Sequence, residues 1–149
     1  MYTLQFLIPL DPIAALDPLL AYVILVIAVI NVFTRVIQHR HHVEQSTESS
    51  DDGTLARWLP HTATTVSLVL LSFVYMIPNP HGGMVMSTFA LGVFFTDFFE
   101  FESRLVEARS RSKSISRPKA AIGASLFAVI YAAYQSLFFL VEPLWNSLV

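Results

Sequence analysis

Asp97, Glu100, Arg104, Glu107 and Arg111 recur at spacings of three and four within the stretch FFTDFFEFESRLVEARSR. On a helix that spacing places all of them on one face. Glu100 with Arg104, and Glu107 with Arg111, form acid-first i,i+4 pairs. Exposed pairs of this kind contribute about 0.3–0.5 kcal/mol each, so this segment is expected to be a solvated, internally paired helix end. Asp97 stands apart. It sits among Phe94, Phe95, Phe98 and Phe99, about 21 Å along a helix counted from Gly83. That depth lies inside a bilayer's hydrocarbon, near one edge. A carboxylate there is costly unless paired, protonated or turned toward a neighbouring helix. Asp97 is expected to face the interior and accept bonds from a polar group such as Asn31 or Thr34.

Histidine offers a second chemistry. His39, His41 and His42 cluster in QHRHH, and His39 and His42 share a helical face that suits a borderline cation. The chain has no cysteine, however, and Arg40 stands in the middle of the group. A basic cap beside the membrane is the commoner meaning, and no metal is expected. No histidine lies within an apolar run, and His61 and His81 fall at opposite ends of theirs, so a bis-His haem site has no ligand pair. Without a nucleophile–base pair, a metal-ligand set or a phosphate loop, the expectation is a protein that is not an enzyme and carries no cofactor.

The elements that position these residues follow from charge and hydropathy. Hydrophobic residues make up 54% of the chain and charged residues 13%, against about 25% charged in an ordinary soluble domain. Such a sequence needs lipid around it. Every Lys and Arg falls between Arg35 and Arg57 or between Arg104 and Lys119. Cations confined to alternate connections between apolar runs mark cytoplasmic loops. The fold expected is therefore an all-α membrane protein with four transmembrane helices, 18–37, 60–77, 83–101 and 118–141, as one bundle over 1–149. Both termini are placed outside, and the third helix extends into the cytoplasm by about two turns.

About twenty residues at 1.5 Å each cover a hydrocarbon core of about 30 Å. Asp17 and Pro18 suit the start of the first span, Arg35 closes its inner side, and Pro78 and Pro80 end the second. Gly82 and Gly83 belong to a tight outer turn, and Pro143 marks the end of the fourth span. Trp58 and Trp145 fall at the two boundaries, where aromatic belts sit. Residues 1–17 are expected as an outer interfacial segment that is retained rather than cleaved, with Asp11-Pro12 opening a short helix. Residues 44–53, EQSTESSDDG, read as an acidic, solvated cytoplasmic loop.

Packing in lipid adds one more signal. Ala120, Ala124, Ala128, Ala132 and Ser136 repeat every four residues, and Thr88, Gly92 and Thr96 form a shorter counterpart. Small residues at this spacing let helices approach closely, either within the bundle or against another subunit. Tyr131, Tyr134 and Gln135 are expected to bond across helices. The intramembrane polar and charged set is then Asn31, Asp97, Glu100 and Arg104.

The strings FFTDFFEFESR, RPKAAI and YAAYQSLFF, with an N-terminal LQFLIPLD, resemble a family of small uncharacterised integral membrane proteins from haloarchaea. The resemblance implies a four-helix protein of the plasma membrane in a high-salt organism, and it carries over no catalytic or binding residue. Two functional readings stay open. One is an accessory or structural subunit docking on a larger, respiratory or energy-converting, membrane complex. The other is a small oligomeric transporter or channel using Asp97. The partners expected are the lipid bilayer and a protein subunit or further copies of the chain, with no nucleic acid.

Overall fold

A computed structural model of the chain describes residues 10–48, 54–110 and 115–148. It is all-helical there: a short α1 (Leu10–Ala14), then α2 (Asp17–Glu48), α3 (Leu59–Tyr75), α4 (Pro80–Arg109) and α5 (Lys119–Leu148). Three of these, α2, α4 and α5, are long and apolar enough to cross a membrane, while α3 is apolar but has 17 residues. At 1.5 Å per residue α3 spans about 25 Å, and α2 about 48 Å.

Successive helices run antiparallel. Asn31 of α2 meets Thr64 and Thr65 of α3, while Thr34 meets His61, one turn the other way. Asp97 of α4 returns to His61, Glu100 reaches the start of α5, and α5 packs back on α2. The result is a closed four-helix bundle. Both cationic windows lie at one end of it, with the α3–α4 turn at the other.

The helix boundaries differ from the sequence reading in three places, each with a local cause. Residues 44–48, expected in a loop, continue α2. His41 and Glu44 approach to 3.8 Å, and the Ser46 and Thr47 hydroxyls donate back to Val43 O; residues 49–53 lie outside the described segments. Gly82 and Gly83, expected in a turn, form the first turn of α4. Asn79 caps that helix by accepting from Gly82 N at 2.9 Å, with Pro80 at the first helical position. A Cβ on Gly83 would lie 2.4 Å from Met76 N and Cα, so glycine here permits the close crossing of α3 and α4. Finally, α5 runs through Pro143 to Leu148, tolerating the ring where every side chain from Phe138 to Leu148 is exposed. Residues 1–9 of the expected interfacial segment are undescribed; Asp11 and Pro12 do lie in α1.

The interior has two unlike halves. Toward the α3–α4 turn it is mostly apolar, Leu20, Ile24, Ala28, Leu68, Met86, Ala90, Val93, Ala128 and Ala132, with the buried hydroxyls of Ser72, Ser87 and Ser136 among them. Toward the cationic end it is polar. The outside along the middle of the helices is largely apolar, with Phe33, Leu70, Phe99, Phe127 and Ile130 all 60% or more exposed. Water would not tolerate such a surface, and lipid would.

Candidate functional site

The polar half of the interior centres on Asp97. Inward-facing α4 positions Met86, Ala90, Val93, Phe101 and Arg104 are buried, and Asp97 falls on the same stripe. Its Oδ1 accepts from Arg35 Nη1. Its Oδ2 accepts from Thr65 Oγ1 at 3.1 Å and lies 2.8 Å from His61 Nε2. Arg35 Nη2 donates to Ser125 Oγ at 2.9 Å and to Asn31 Oδ1 at 3.3 Å. Asn31 Nδ2 donates in turn to Thr65 Oγ1 at 2.8 Å and Thr64 Oγ1 at 3.0 Å. Residues from all four of α2 to α5 thus join a single hydrogen-bonded cluster.

His61 bridges it to α2, with Nδ1 2.9 Å from Thr34 Oγ1. Two proton arrangements satisfy that bridge. A neutral ring donates from Nε2 to Asp97 and accepts at Nδ1 from Thr34. An imidazolium donates at both nitrogens, and Thr34 then donates to Asn31 O at 3.0 Å.

Two turns further toward the cationic end a second group forms. Arg104 is buried, with Nη1 3.0 Å from His42 Nδ1 and Nη2 3.5 Å from Glu100. His42 is completely buried, and its Nε2 lies 3.2 Å from Ala56 O. Burial pushes the His42 pKa down to about 4, and the positive charge of Arg104 adds to the effect. Glu100 Oε1 accepts from Ala120 N at 2.9 Å and Ala121 N at 3.2 Å. It therefore caps α5 from a different helix, where a carboxylate also favours the positive end of the helix dipole.

A cleft of about 30 Å³, lined in part by Gln38, Thr62 and Phe94, opens beside Asp97 and His61. It has room for one or two water molecules. Arg57 forms its rim, stacked over Phe101 at 4.3 Å.

Asp97 faces the bundle, but its direct partners are Arg35, His61 and Thr65. Asn31 and Thr34 sit one bond further out. Arg35, expected at a solvated boundary, is 3% exposed. Arg104 likewise belongs to the interior rather than to a solvated face, because His42 and Glu100 enclose it. Glu107 bonds Ser116 N and Oγ at 2.9 and 2.6 Å, which holds its carboxyl below the usual range; Arg111, its expected partner, lies outside the described residues.

On α5 the buried small residues are Ala121, Ser125, Ala128, Ala132 and Ser136, whereas Ala120 is exposed and Ala124 half-buried. Thr88 points outward, Thr96 bonds its own helix at Gly92 O and Val93 O, and Gly92 meets open space. Tyr75 donates to Gln135 Oε1 at 3.3 Å, and Gln135 Nε2 donates to Tyr131 at 2.7 Å. His61, Thr65 and Ser125 were missed as cluster members. Their signal was available: His61, Thr65, Leu68, Ser72 and Tyr75 follow helical spacing on an otherwise apolar segment, and all are buried.

The class these features mark is an all-helical protein with three helices long and apolar enough to cross a membrane, closed over a buried ionic cluster at the cationic end. The chain belongs to the family described as Domain of unknown function (DUF7313), whose model matches residues 2–149. No curated protein and no solved structure matched it.

Proposed function

We propose that the protein is a small non-enzymatic subunit that docks on a larger integral membrane complex, a respiratory or energy-converting one being the case in view. In this reading α2 to α5 all cross the plasma membrane of a high-salt organism. Both termini lie outside, and the cationic end lies in the cytoplasm. The gathering of both Lys- and Arg-bearing connections at one end of the bundle supports that orientation.

The observation that carries the docking reading is the outward face of α4. Thr88 is exposed there, and a Cβ at Gly92 would meet nothing within 4 Å. That leaves a small-residue strip free for a partner helix. The polar groups of the interior, by contrast, are engaged mostly with one another. Mild detergent extraction from the native membrane followed by native mass analysis tests the reading. Co-extraction with a partner, lost in Gly92→Leu without loss of thermal stability, is the expected result. A stable lone monomer refutes it. A tag at either terminus should be reached from outside intact cells; access after lysis alone refutes the orientation.

A transporter or channel using Asp97 is favoured by one observation, the cleft that opens onto its carboxylate. Against it stands the apolar layer of Ile24, Leu68, Met86, Val93 and Ala128 beyond the cluster, which offers an ion no polar group. Flux in liposomes that disappears in Asp97→Asn would establish this second reading.

A further inference from the structure

Val66 and Phe94 line the cleft beside Asp97, and they also line an apolar groove of about 120 Å³ completed by Val69, Leu70 and Leu91. The two spaces meet at that pair of side chains. From there the groove follows α3 to Leu70 and α4 back to Leu91, away from the cationic end. Val66 is 41%, Leu70 60% and Phe94 38% exposed, so the groove opens where lipid would lie. Its surface is wholly apolar, whereas polar atoms form part of the cleft wall.

The cleft has hydrogen-bonding capacity left over. Gln38 lines it and is 7% exposed, and no atom of the described residues bonds its side-chain amide. Buried amides without a partner commonly mark a missing one. Asp97 keeps 18% of its side chain exposed. Arg57 approaches Glu102 only to 3.8 Å and rests on the Phe101 ring, which leaves N–H donors over at the rim.

The charges near the cleft cancel. Arg35 pairs with Asp97, Arg57 faces Glu102, and Arg104 lies 3.5 Å from the Glu100 Oε2 atom. That oxygen is buried and accepts no hydrogen bond among the described residues, so an added anion would meet it unfavourably. An added cation would meet three arginines. A neutral head is left, small enough to take the place of the one or two waters the cleft holds. The groove sets the body behind that head. An apolar cavity of about 150 Å³ admits a benzene ring, so a groove of about 120 Å³, open on one side, suits a flat ring against Phe94.

We infer that this α3–α4 cleft and groove bind an isoprenoid quinone, with one carbonyl oxygen in the cleft accepting from the Gln38 amide, the ring at Val66 and Phe94, and the tail leaving past Leu70 and Leu91. A mostly apolar site with a few convergent polar groups is the usual form of a small-molecule pocket. In the reduced form the hydroxyl can donate to the Gln38 carbonyl oxygen or to Asp97, which line the same cleft.

The test uses the full chain in phosphatidylcholine nanodiscs, titrated with a short-tailed menaquinone, with squalene, or with dioleoylglycerol. Bound molecules are counted by native mass analysis. Squalene is an isoprenoid without oxygen, and dioleoylglycerol has a neutral head without a ring. Wild type should bind the quinone about ten-fold more tightly than either. Gln38→Leu should weaken quinone binding about five-fold. Leu70→Trp covers the groove from its exposed side and should weaken binding about ten-fold, while Leu126→Trp, at a residue 50% exposed on α5 and outside the groove, should leave it unchanged. Because Leu70 lies on the surface, its variant carries the test even if Gln38→Leu fails to fold. Equal affinity for the three probes, wild-type affinity in Gln38→Leu, or equal losses in the two tryptophan variants overturns the inference. Selective binding by a lone monomer would sink the docking reading and keep this one.

Discussion

Replacing Asp97 with leucine removes the carboxylate in contact with Arg35 and leaves that arginine charged and 97% enclosed, since only 3% of it is exposed. Breaking a buried pair from one side costs about 3–5 kcal/mol, most of it the penalty of the charge left behind. His61 and Thr65 lose their acceptor in the same step. Asparagine is milder. It keeps one oxygen for Arg35, and a neutral His61 can turn its acceptor nitrogen toward the new amide. Thr65 cannot adapt so simply, because its oxygen already accepts from Asn31, and about 1–3 kcal/mol is lost. The decisive variant is the double replacement Arg35→Leu with Asp97→Leu. It removes both charges, so it should be less destabilised than Asp97→Leu alone, with a coupling of about 2–3 kcal/mol. Unfolding by rising dodecyl sulfate fraction in mixed micelles, followed through tryptophan fluorescence, reads these differences. Trp58 lies 5.4 Å from the His41 ring at the cationic end and serves as local reporter. If Asp97→Leu matches wild type, or the double variant loses the sum of the two single losses, Arg35 and Asp97 are not an interdependent pair.

The pH dependence should come from His42. Unfolding restores its ordinary value of 6.5, so the unfolded chain takes up a proton that the folded ring refuses until about pH 4. Stability is therefore full above pH 6.5 and falls as pH drops toward 4; the loss should reach about 1–2 kcal/mol, after allowance for solvent screening near the loop. His42→Gln should flatten this slope in pH-dependent melting, and an unchanged slope would assign the protons elsewhere. Gly83→Ala should cost about 1–3 kcal/mol, because the added methyl meets Met76 backbone at 2.4 Å. Gly92→Ala should be neutral or slightly stabilising in the same melt, and equal losses at both sites would remove the close-approach argument. Glu100→Gln weakens the α5 cap and the Arg104 pair together, a loss of about 1–2 kcal/mol. Hydrogen exchange should quicken at Ala120 and Ala121 while the middle of α5 stays protected; uniform change along α5 would count against capping.

The helical class and the common end for both cationic connections were legible because each rests on composition along the chain, which no packing detail alters. Asp97 was legible as an inward group for the same reason, since a charge among phenylalanines must find a partner. Its partners were not. Arg35 reads equally well as the last residue of a span and as the first of a loop. Its burial follows from α2 continuing past it as helix to Glu48, so that its guanidinium turns inward at the level of Ser125. The α5 stripe shows a different limit. Steps of exactly four advance about 40° each around a helix of 3.6 residues per turn, so the series from Ala120 to Ser136 wraps well round the surface. The buried series starts at Ala121 and includes the three-residue step from Ser125 to Ala128, which corrects the drift. Glu100 capping α5 had no sequence signal at all, because the two segments lie 20 residues apart.

The two halves of the interior answer one physical problem. Lipid tails are as apolar as leucine, so burying an apolar side chain between helices gains little over leaving it in the bilayer. Toward the α3–α4 turn the helices gain dispersion contacts by closeness, through Gly83, Ala90, Ala128 and Ala132, and such smooth surfaces specify rotation and register weakly. At the cationic end Arg35, Asp97, His61, Asn31 and Ser125 supply what is missing, since sliding any one helix by a turn would strand a charge or a polar group in a low-dielectric interior. A buried ionic cluster is weak support for stability as such. Its value here is to reject wrong alignments. The double replacement of Arg35 and Asp97 separates the two roles: near-wild-type stability together with broadened exchange or loss of a single conformer would mark the cluster as the determinant of register. A uniquely folded double variant would assign register to the small-residue half instead.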